Sequence, residues 1–532
     1  MLQFVRSFRR GVRCAIRPAC IMTLMIAILD FGSQYTQLIA RSIRELGTFS
    51  KVFPFHEPLK NVLDEKPCGI ILSGGPRSVY DKGAPMIGRE ILDLGIPVLG
   101  ICYGQQITCL LLGGKVASSQ NREYGRMEIE ILDEHPLFKG SPDHQTVWMS
   151  HGDKVESLPE GFKIIARTPS TPFAAIANDS RRMFGVQFHP EVRHTEHGRT
   201  ILKNFLKICG AKKNWDMGSY RKQQVEMIRE QVGSSNVISG LSGGVDSTVA
   251  SSLVAEAIGS QLTCVFVDTG MLRKNEVSEV VNYFKDHHHL NVRVADAADL
   301  FLSRLEKRAI DPRRKRKIIG HTFIEVFEKE AGTLPDVKYL VQGTLYPDVI
   351  ESISVWGPSS TIKLHHNVGG LPKKLNLKLI EPLRFLFKDE VRTLGRTLDI
   401  PDSIIMRHPF PGPGLAVRIL GRVTAERVAI LQEADAIYME ELRTSGWYKK
   451  TAQAFAVLLP VKSVGVMGDE GTYEHVCALR AVTTEDFMTA DFAALPHDLL
   501  GRISRRIVNE VRGINRVVYD VTTKPPATIE WE

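Results

Sequence analysis

No apolar run in the 532-residue sequence is long enough to span a bilayer, which excludes a helical membrane protein and leaves no membrane partner to expect. Paired cysteines are also missing. The eight cysteines stand at positions 14, 20, 68, 102, 109, 209, 264 and 477 with no Cys-x-x-Cys spacing, so a disulfide scaffold is excluded and reduced thiols in a cytoplasmic setting are expected. Internal repeats and low-complexity segments are absent. Acidic residues are absent from positions 1–21, which hold Arg6, Arg9, Arg10, Arg13 and Arg17. Those five account for most of the net charge of +8 and leave +3 for the rest, a weak basis for any polyanion, so no nucleic-acid partner is expected. The Gly-x-x-x-x-Gly-Lys-Ser/Thr phosphate loop is missing too. What remains is ordinary for several globular domains with ample cores: 43% hydrophobic and 24% charged residues.

A different phosphate loop is present. Gly240-Leu241-Ser242-Gly243-Gly244-Val245-Asp246-Ser247-Thr248 follows a short apolar strand at Val237-Ile238 and precedes an apolar helix from Val249 to Ile258. Paired glycines let backbone N–H groups face phosphate oxygens, and the helix N-terminus adds a favourable dipole. Ser242 and Ser247 can donate hydroxyl bonds, and Asp246 can hold a magnesium ion. Cys264 to Gly270 reads as the next parallel strand, ending in Asp268 where doubly wound sheets bind ligands. Lys388 is a candidate pyrophosphate partner. The run resembles the Ser-Gly-Gly-x-Asp-Ser signature of the ATP pyrophosphatases, which split ATP between its α and β phosphates.

A second site lies upstream. Ile96 to Gln105 is an apolar strand turning at Gly100-Ile101-Cys102-Tyr103-Gly104, a nucleophile elbow with cysteine in place of serine. Phe184 to Glu191 runs into His189-Pro190-Glu191. Proline biases His189 toward extended backbone, where residues two apart point the same way, so Glu191 can orient His189 while the imidazole takes the Cys102 proton. Ile70 to Pro76 is an apolar strand opening into the Ser73-Gly74-Gly75 turn. Its similarity to the triad-type glutamine amidotransferases implies Gly75 and Tyr103 as the oxyanion donors.

These motifs, with Asp30 to Tyr35, Met149-Ser150-His151-Gly152-Asp153, Lys315 to Gly320, Gln342 to Ser352, His365 to Gly370, Arg407 to Gly414 and Lys524 to Glu532, occur in the order seen in the glutamine-hydrolysing GMP synthases. From about Met25 to Glu532 the chain resembles that family. The resemblance implies a carbon–nitrogen ligase of purine biosynthesis. Cys102, His189 and Glu191 hydrolyse glutamine to ammonia; Ser242, Gly243, Gly244, Val245, Asp246, Ser247, Thr248, Asp268 and Lys388 bind ATP with Mg2+; the 2-oxygen of XMP is adenylylated, and ammonia displaces AMP to give GMP. It further implies XMP contacts from Arg316, Lys524 and Glu530, a His365–Gly370 segment closing over the adenylate, and a homodimer. A non-purine ATP pyrophosphatase fused to a glutaminase, or a nucleotide sensor that has lost catalysis, are the alternatives. The first would show a cysteine pair or a broad basic face, and the second would lack Cys102, His189 or Glu191.

The fold class expected is α/β, with two doubly wound parallel-sheet domains and a C-terminal α+β dimerisation domain. The boundaries are 25–213 for the amidotransferase, 214–406 for the ATP pyrophosphatase and 407–532 for the dimerisation and XMP-binding part. The last contains a helix from Thr424 to Thr444 and short strands at 463–467 and 516–521. Residues 1–24 read as a basic extension outside the fold, either an organelle transit peptide or, the preferred account, a wrongly included upstream start. The basic run Pro312 to Lys317 reads as a solvated loop beside a phosphate-bearing nucleotide. His287-His288-His289 reads as a solvated helix end, because three neighbours fan around a helix.

Overall fold

The computed structural model describes residues 24–288, 291–308, 310–352, 377–467, 469–484, 487 and 489–532. Residues 1–23 of the basic extension, His289 and the His365–Gly370 segment lie outside the described residues. The chain clusters into two compact units, one running to Gln223 and one taking up at Gln224.

The first unit is built on a nine-stranded sheet. Its strands are β1 (Met25–Asp30), β2 (Ser50–Pro54), β3 (Pro67–Leu72), β4 (Val98–Ile101), β5 (Lys115–Ile131), β6 (His144–Ser157), β7 (Lys163–Arg167), β8 (Ala175–Asn178) and β9 (Met183–Val186). They lie in the order β2-β1-β3-β4-β9-β8-β7-β5-β6. The pairs from β2 through β9 are parallel. Strands β1, β4 and β9 are buried along their whole length, the pattern of a sheet covered on both faces. From β9 outward the pairs are antiparallel, so the expected parallel sheet is a mixed one. The extension arises because β5 and β6 are 17 and 14 residues long and fold back on one another; antiparallel strands need no helical crossover.

The second unit contains an all-parallel sheet of β10 (Asn236–Leu241), β11 (Leu262–Asp268), β12 (Asn291–Asp296), β13 (Val337–Val341) and β14 (Lys378–Ile380), ordered β12-β11-β10-β13-β14. Successive strands step to one side of β10 and then to the other, so a topological switch lies at the β10 C-terminal end. Further along come β15 (Gln453–Met467), β16 (Glu470–Thr483), β17 (Asp491–Phe492) and β18 (Ile514–Tyr519), with β15 and β17 antiparallel to β16 and β18 parallel to it. The helices Ala425–Thr444 and His497–Glu510 pack with this sheet. One apolar core runs from Ile238 and Val265 of the parallel sheet to Leu479 and Ile514 of the C-terminal sheet.

Two local expectations change. The strand expected at 463–467 begins at Gln453; its register slips between Leu458 and Lys462, where Pro460 cannot donate to the ladder, and that proline hid the strand's first half. The basic run at 312–317 is not a loop but the opening of the 21-residue helix Pro312–Gly332. Asp311 caps it by accepting from Arg314 N at 2.9 Å, and Pro312 supplies a helical φ at the first turn. Charge drew attention away from an ordinary Asp-Pro helix start.

Candidate active site

Three neighbouring strands of the first sheet end together at Cys102, Gly75 and His189. Cys102 follows β4 directly and heads the helix Tyr103–Leu111, with φ +52° and ψ −105°. That left-handed backbone turns the chain sharply and costs about 1–3 kcal/mol for a residue bearing a Cβ. The turn closes only because its flanking residues are glycines: a Cβ on Gly100 would stand 2.6 Å from Gly104 C, and one on Gly104 would stand 2.2 Å from Leu72 O. Cys102 N donates to Val186 O at 2.8 Å, which fixes the elbow to the end of β9.

His189 is buried, donates its Nδ1–H to Glu191 Oε1 at 2.8 Å and lies beside Cys102, whose Sγ donates to Ser150 O at 3.7 Å. Burial pulls the imidazole pKa down, yet the Glu191 carboxylate and the Cys102 sulfur outweigh it and hold the ring well above its ordinary value. His189 N donates to Trp148 O at 3.0 Å, Thr195 Oγ1 donates to His189 O at 2.6 Å, and Tyr35 meets the ring edge-on at 5.0 Å. The main chain of His189 is therefore fixed at both its N–H and its carbonyl, while Glu191 and Tyr35 contact the ring. Gly75 lies against Tyr103, since a Cβ there would come within 3.0 Å of the tyrosine ring.

A cavity of about 400 Å³ opens beside the thiol, lined among others by Gly75, Cys102, Tyr103, Ser150, His151 and Asp153. Three features of it escaped the sequence reading. Gln187 Nε2 donates to Cys102 Sγ at 3.6 Å; it is the first residue past β9, in the bend that leads to His189. Asp153 Oδ2 is buried with no hydrogen-bond partner among the described residues. Behind the wall, β5 and β6 pair Glu123 with His151, whose Nε2 lies 3.1 Å from Glu123 Oε2 and whose Nδ1 lies 3.0 Å from Asp153 O. Burial raises the Glu123 pKa, but bonds from His151, Ser170, Thr168 and Thr171 more than reverse this and hold it at about 2.

The phosphate loop sits at the switch end of β10. Gly243 has φ +72°, and Gly244 leads into the helix Val245–Ile258. Ser242 and Ser247 share a hydroxyl bond of 2.9 Å, while Ser247 and Thr248 both donate to Gly244 O, at 3.1 and 2.9 Å. Val245 and Thr248 are buried, so these two shape the turn and leave its outer face to Ser242, Ser247 and the backbone. Lys388 Nζ bonds both Asp246 oxygens, at 2.6 and 2.7 Å. Gly343 packs on Asp246, where a Cβ would already be at 3.3 Å. Asp268 accepts from Gly270 N at 2.8 Å at the end of β11 and lines a separate cavity of about 410 Å³. Glu276, which has no motif to flag it, is buried beside the loop, its Oε1 3.2 Å from the Cβ position of Gly243. Burial raises its pKa despite the nearby Arg273 and Arg407.

The residues expected to meet XMP gather around the tail, each already engaged. Arg316 Nη2 donates to Glu532 O at 2.6 Å, and Glu530 takes Arg418 Nη2 at 2.8 Å and Gln453 Nε2 at 2.6 Å. Lys524 Nζ donates to Phe487 O at 2.6 Å. Among the described residues no cluster of three or more His, Cys, Asp or Glu side chains could hold a metal alone, no disulfide occurs, and no helix is long and apolar enough to cross a membrane.

Comparison with known proteins gives three matches along the chain. Residues 27–209 match the glutamine amidotransferase class-I family, 219–314 the NAD synthase family and 440–531 the GMP synthase C-terminal domain. GMP synthase (glutamine-hydrolyzing) of Brachyspira hyodysenteriae is 56% identical over 508 residues, covering 95% of this chain and 99% of that protein. The protein of the same name from Carboxydothermus hydrogenoformans is 56% identical over 512 residues, covering 96% and 100%. That from Bartonella bacilliformis is 56% identical over 511 residues, covering 95% and 98%.

Proposed function

The chain belongs to the glutamine-hydrolysing GMP synthases, and on that premise we propose that it converts XMP to GMP using ATP and ammonia drawn from glutamine. The observation that carries the first half is the meeting of Cys102, His189 and Glu191 beside a polar cavity. His189 takes the thiol proton as Cys102 attacks the side-chain amide, and Glu191 stabilises the imidazolium that forms. Backbone N–H groups of Gly75 and Tyr103 receive the developing oxyanion. His189 then protonates the departing nitrogen, ammonia leaves, and water hydrolyses the thioester to glutamate. The unpaired Asp153 oxygen suits the α-ammonium group of an amino-acid substrate, a charge the cavity otherwise leaves unmatched.

The second half rests on the phosphate loop at the sheet's switch point. Ser242, Ser247 and the backbone of Gly243 and Gly244 bind the ATP phosphates, with Asp268 at the neighbouring strand end. Asp246, a lone carboxylate at the mouth of the loop, would hold a magnesium ion together with the substrate phosphates. Such an ion offsets the charge that builds on pyrophosphate. Lys388, whose ammonium bonds both Asp246 oxygens, would be the cation available to the pyrophosphate. Adenylylation at the XMP 2-oxygen makes AMP the leaving group, so ammonia can replace an oxygen it could not displace directly. Arg316, Lys524 and Glu530 serve XMP, residues 25–213, 214–406 and 407–532 divide these tasks, and two copies assemble.

The test is nucleotide analysis of a reaction with ATP, magnesium, XMP and glutamine, repeated with ammonium in place of glutamine. GMP, AMP and pyrophosphate are expected in both; absence of XMP-dependent ATP cleavage in both would refute the acceptor assignment.

A further inference from the structure

Among the described residues three cations, Lys315, Arg418 and Arg480, are 0% exposed. All three converge on one short stretch, residues 520–532. Lys315 Nζ bonds the Glu532 carboxylate and donates to Ala416 O at 3.2 Å and Ile419 O at 2.6 Å. Arg418 grips both Glu530 oxygens, at 2.8 and 3.2 Å, and stacks over Phe455 at 4.2 Å. Arg480 donates to Thr522 O at 2.6 Å and Thr528 O at 3.3 Å and pairs with Asp520 at 3.2 Å.

Removing a cation from water is costly, and a buried ion pair contributes little net stability against an apolar substitute. Three such cations on a dozen residues are therefore better explained by geometry than by stability. Lys315 and Arg316 stand side by side in the first turns of the Pro312–Gly332 helix, and they take different parts of the same residue, the side chain and the main-chain oxygen of Glu532. Glu530 has two donors on one oxygen and one on the other, which leaves its carboxylate no freedom to rotate.

We infer that Lys315 and Arg418 are positioning residues that preset the 528–532 segment for the nucleotide acceptor, a role that rests on the proposed assignment of Arg316, Lys524 and Glu530 to XMP. Lys315 touches no substrate in this scheme. It fixes the place of Arg316 relative to Glu530 through Glu532, so its loss should weaken acceptor binding and spare the chemistry that follows once XMP is bound.

The experiment compares the full-length wild type with Lys315→Met, which keeps the stem and removes the charge, and with Glu532→Gln, which removes the charge at the other end of the pair. Steady-state GMP synthesis with ammonium is measured against XMP, and glutamine hydrolysis is measured separately. Expected is a KM for XMP raised by about tenfold or more in each variant, kcat at saturating XMP within about twofold, and unchanged glutaminase activity. The double variant should be no worse than the more severe single one, the sign of a shared interaction. Folded variants with wild-type KM for XMP, or equal losses in kcat and kcat/KM, would overturn the positioning role. Failure of the wild type itself to use XMP would instead refute the acceptor assignment on which the role depends.

Discussion

Cys102 is held in a backbone conformation that its own side chain disfavours, and the return is a thiol presented at the head of a helix between two strand ends. Nothing in the second unit is needed to hold it there, since its elbow is fixed by Val186, Gly100 and Gly104. Replacement of Cys102 by Ala should therefore lower glutamine-dependent synthesis by at least about a thousandfold and leave ammonium-dependent synthesis intact, read by GMP formation with each nitrogen source. Asp246→Ala should block both, because in the proposed scheme ATP cleavage precedes either nucleophile. At this scale the sequence was informative where chemistry is local. His189, Glu191 and Gln187 lie within five residues of one another, just past the end of β9, although the segment is a bend and turn and not the extended chain expected. Asp153 stood inside a motif without a role, and Glu276 had no motif at all; both owe their place to burial, which no short pattern records.

Elements bring together what sequence separates. Glu123 and His151 are 28 residues apart and meet only because the β5–β6 register sets them opposite one another. The long antiparallel arm that carries them was not legible, as attention to parallel strand–turn–helix units passed over two long strands folding back. Strands β10 and β11 were legible because they are short, apolar and followed by glycine turns, whereas β12, with Arg293 and a largely exposed run, was not. The Glu123 pair makes a pH prediction with a definite sign. Its folded pKa, about 2, lies below the ordinary carboxylate value of 4.5, so its contribution to stability is complete above about pH 4.5 and is lost as pH falls toward 2. Glu123→Gln should accordingly flatten the fall in urea midpoint between pH 5 and about 3, at a lower midpoint throughout the neutral range. An unchanged slope would show that the pair carries no part of the acid sensitivity.

For the whole molecule, the hairpin of β15 and β16 leaves apolar side chains exposed on one face. Val464 and Val466 are 71% and 76% exposed, and Tyr473, paired opposite Val464, is 65% exposed. A cross-strand apolar patch of this kind suits a protein interface. With the proposed homodimer, light scattering should give about twice the 59.4 kDa chain mass. Val466→Lys should shift the mass toward one copy; a monomer in the wild type would refute the assembly. The strained elbow also bears on lineages as well as on catalysis. Once glutamine hydrolysis is no longer required, the position is released from needing a thiol, and glycine is the residue that relaxes the left-handed turn. Cys102→Gly should melt higher than Cys102→Ala, by the equivalent of about 1 kcal/mol. A descendant fed by free ammonia would thus settle more readily on glycine than on alanine at this position, and glycine at the elbow would be the mark of a glutaminase that has fallen out of use.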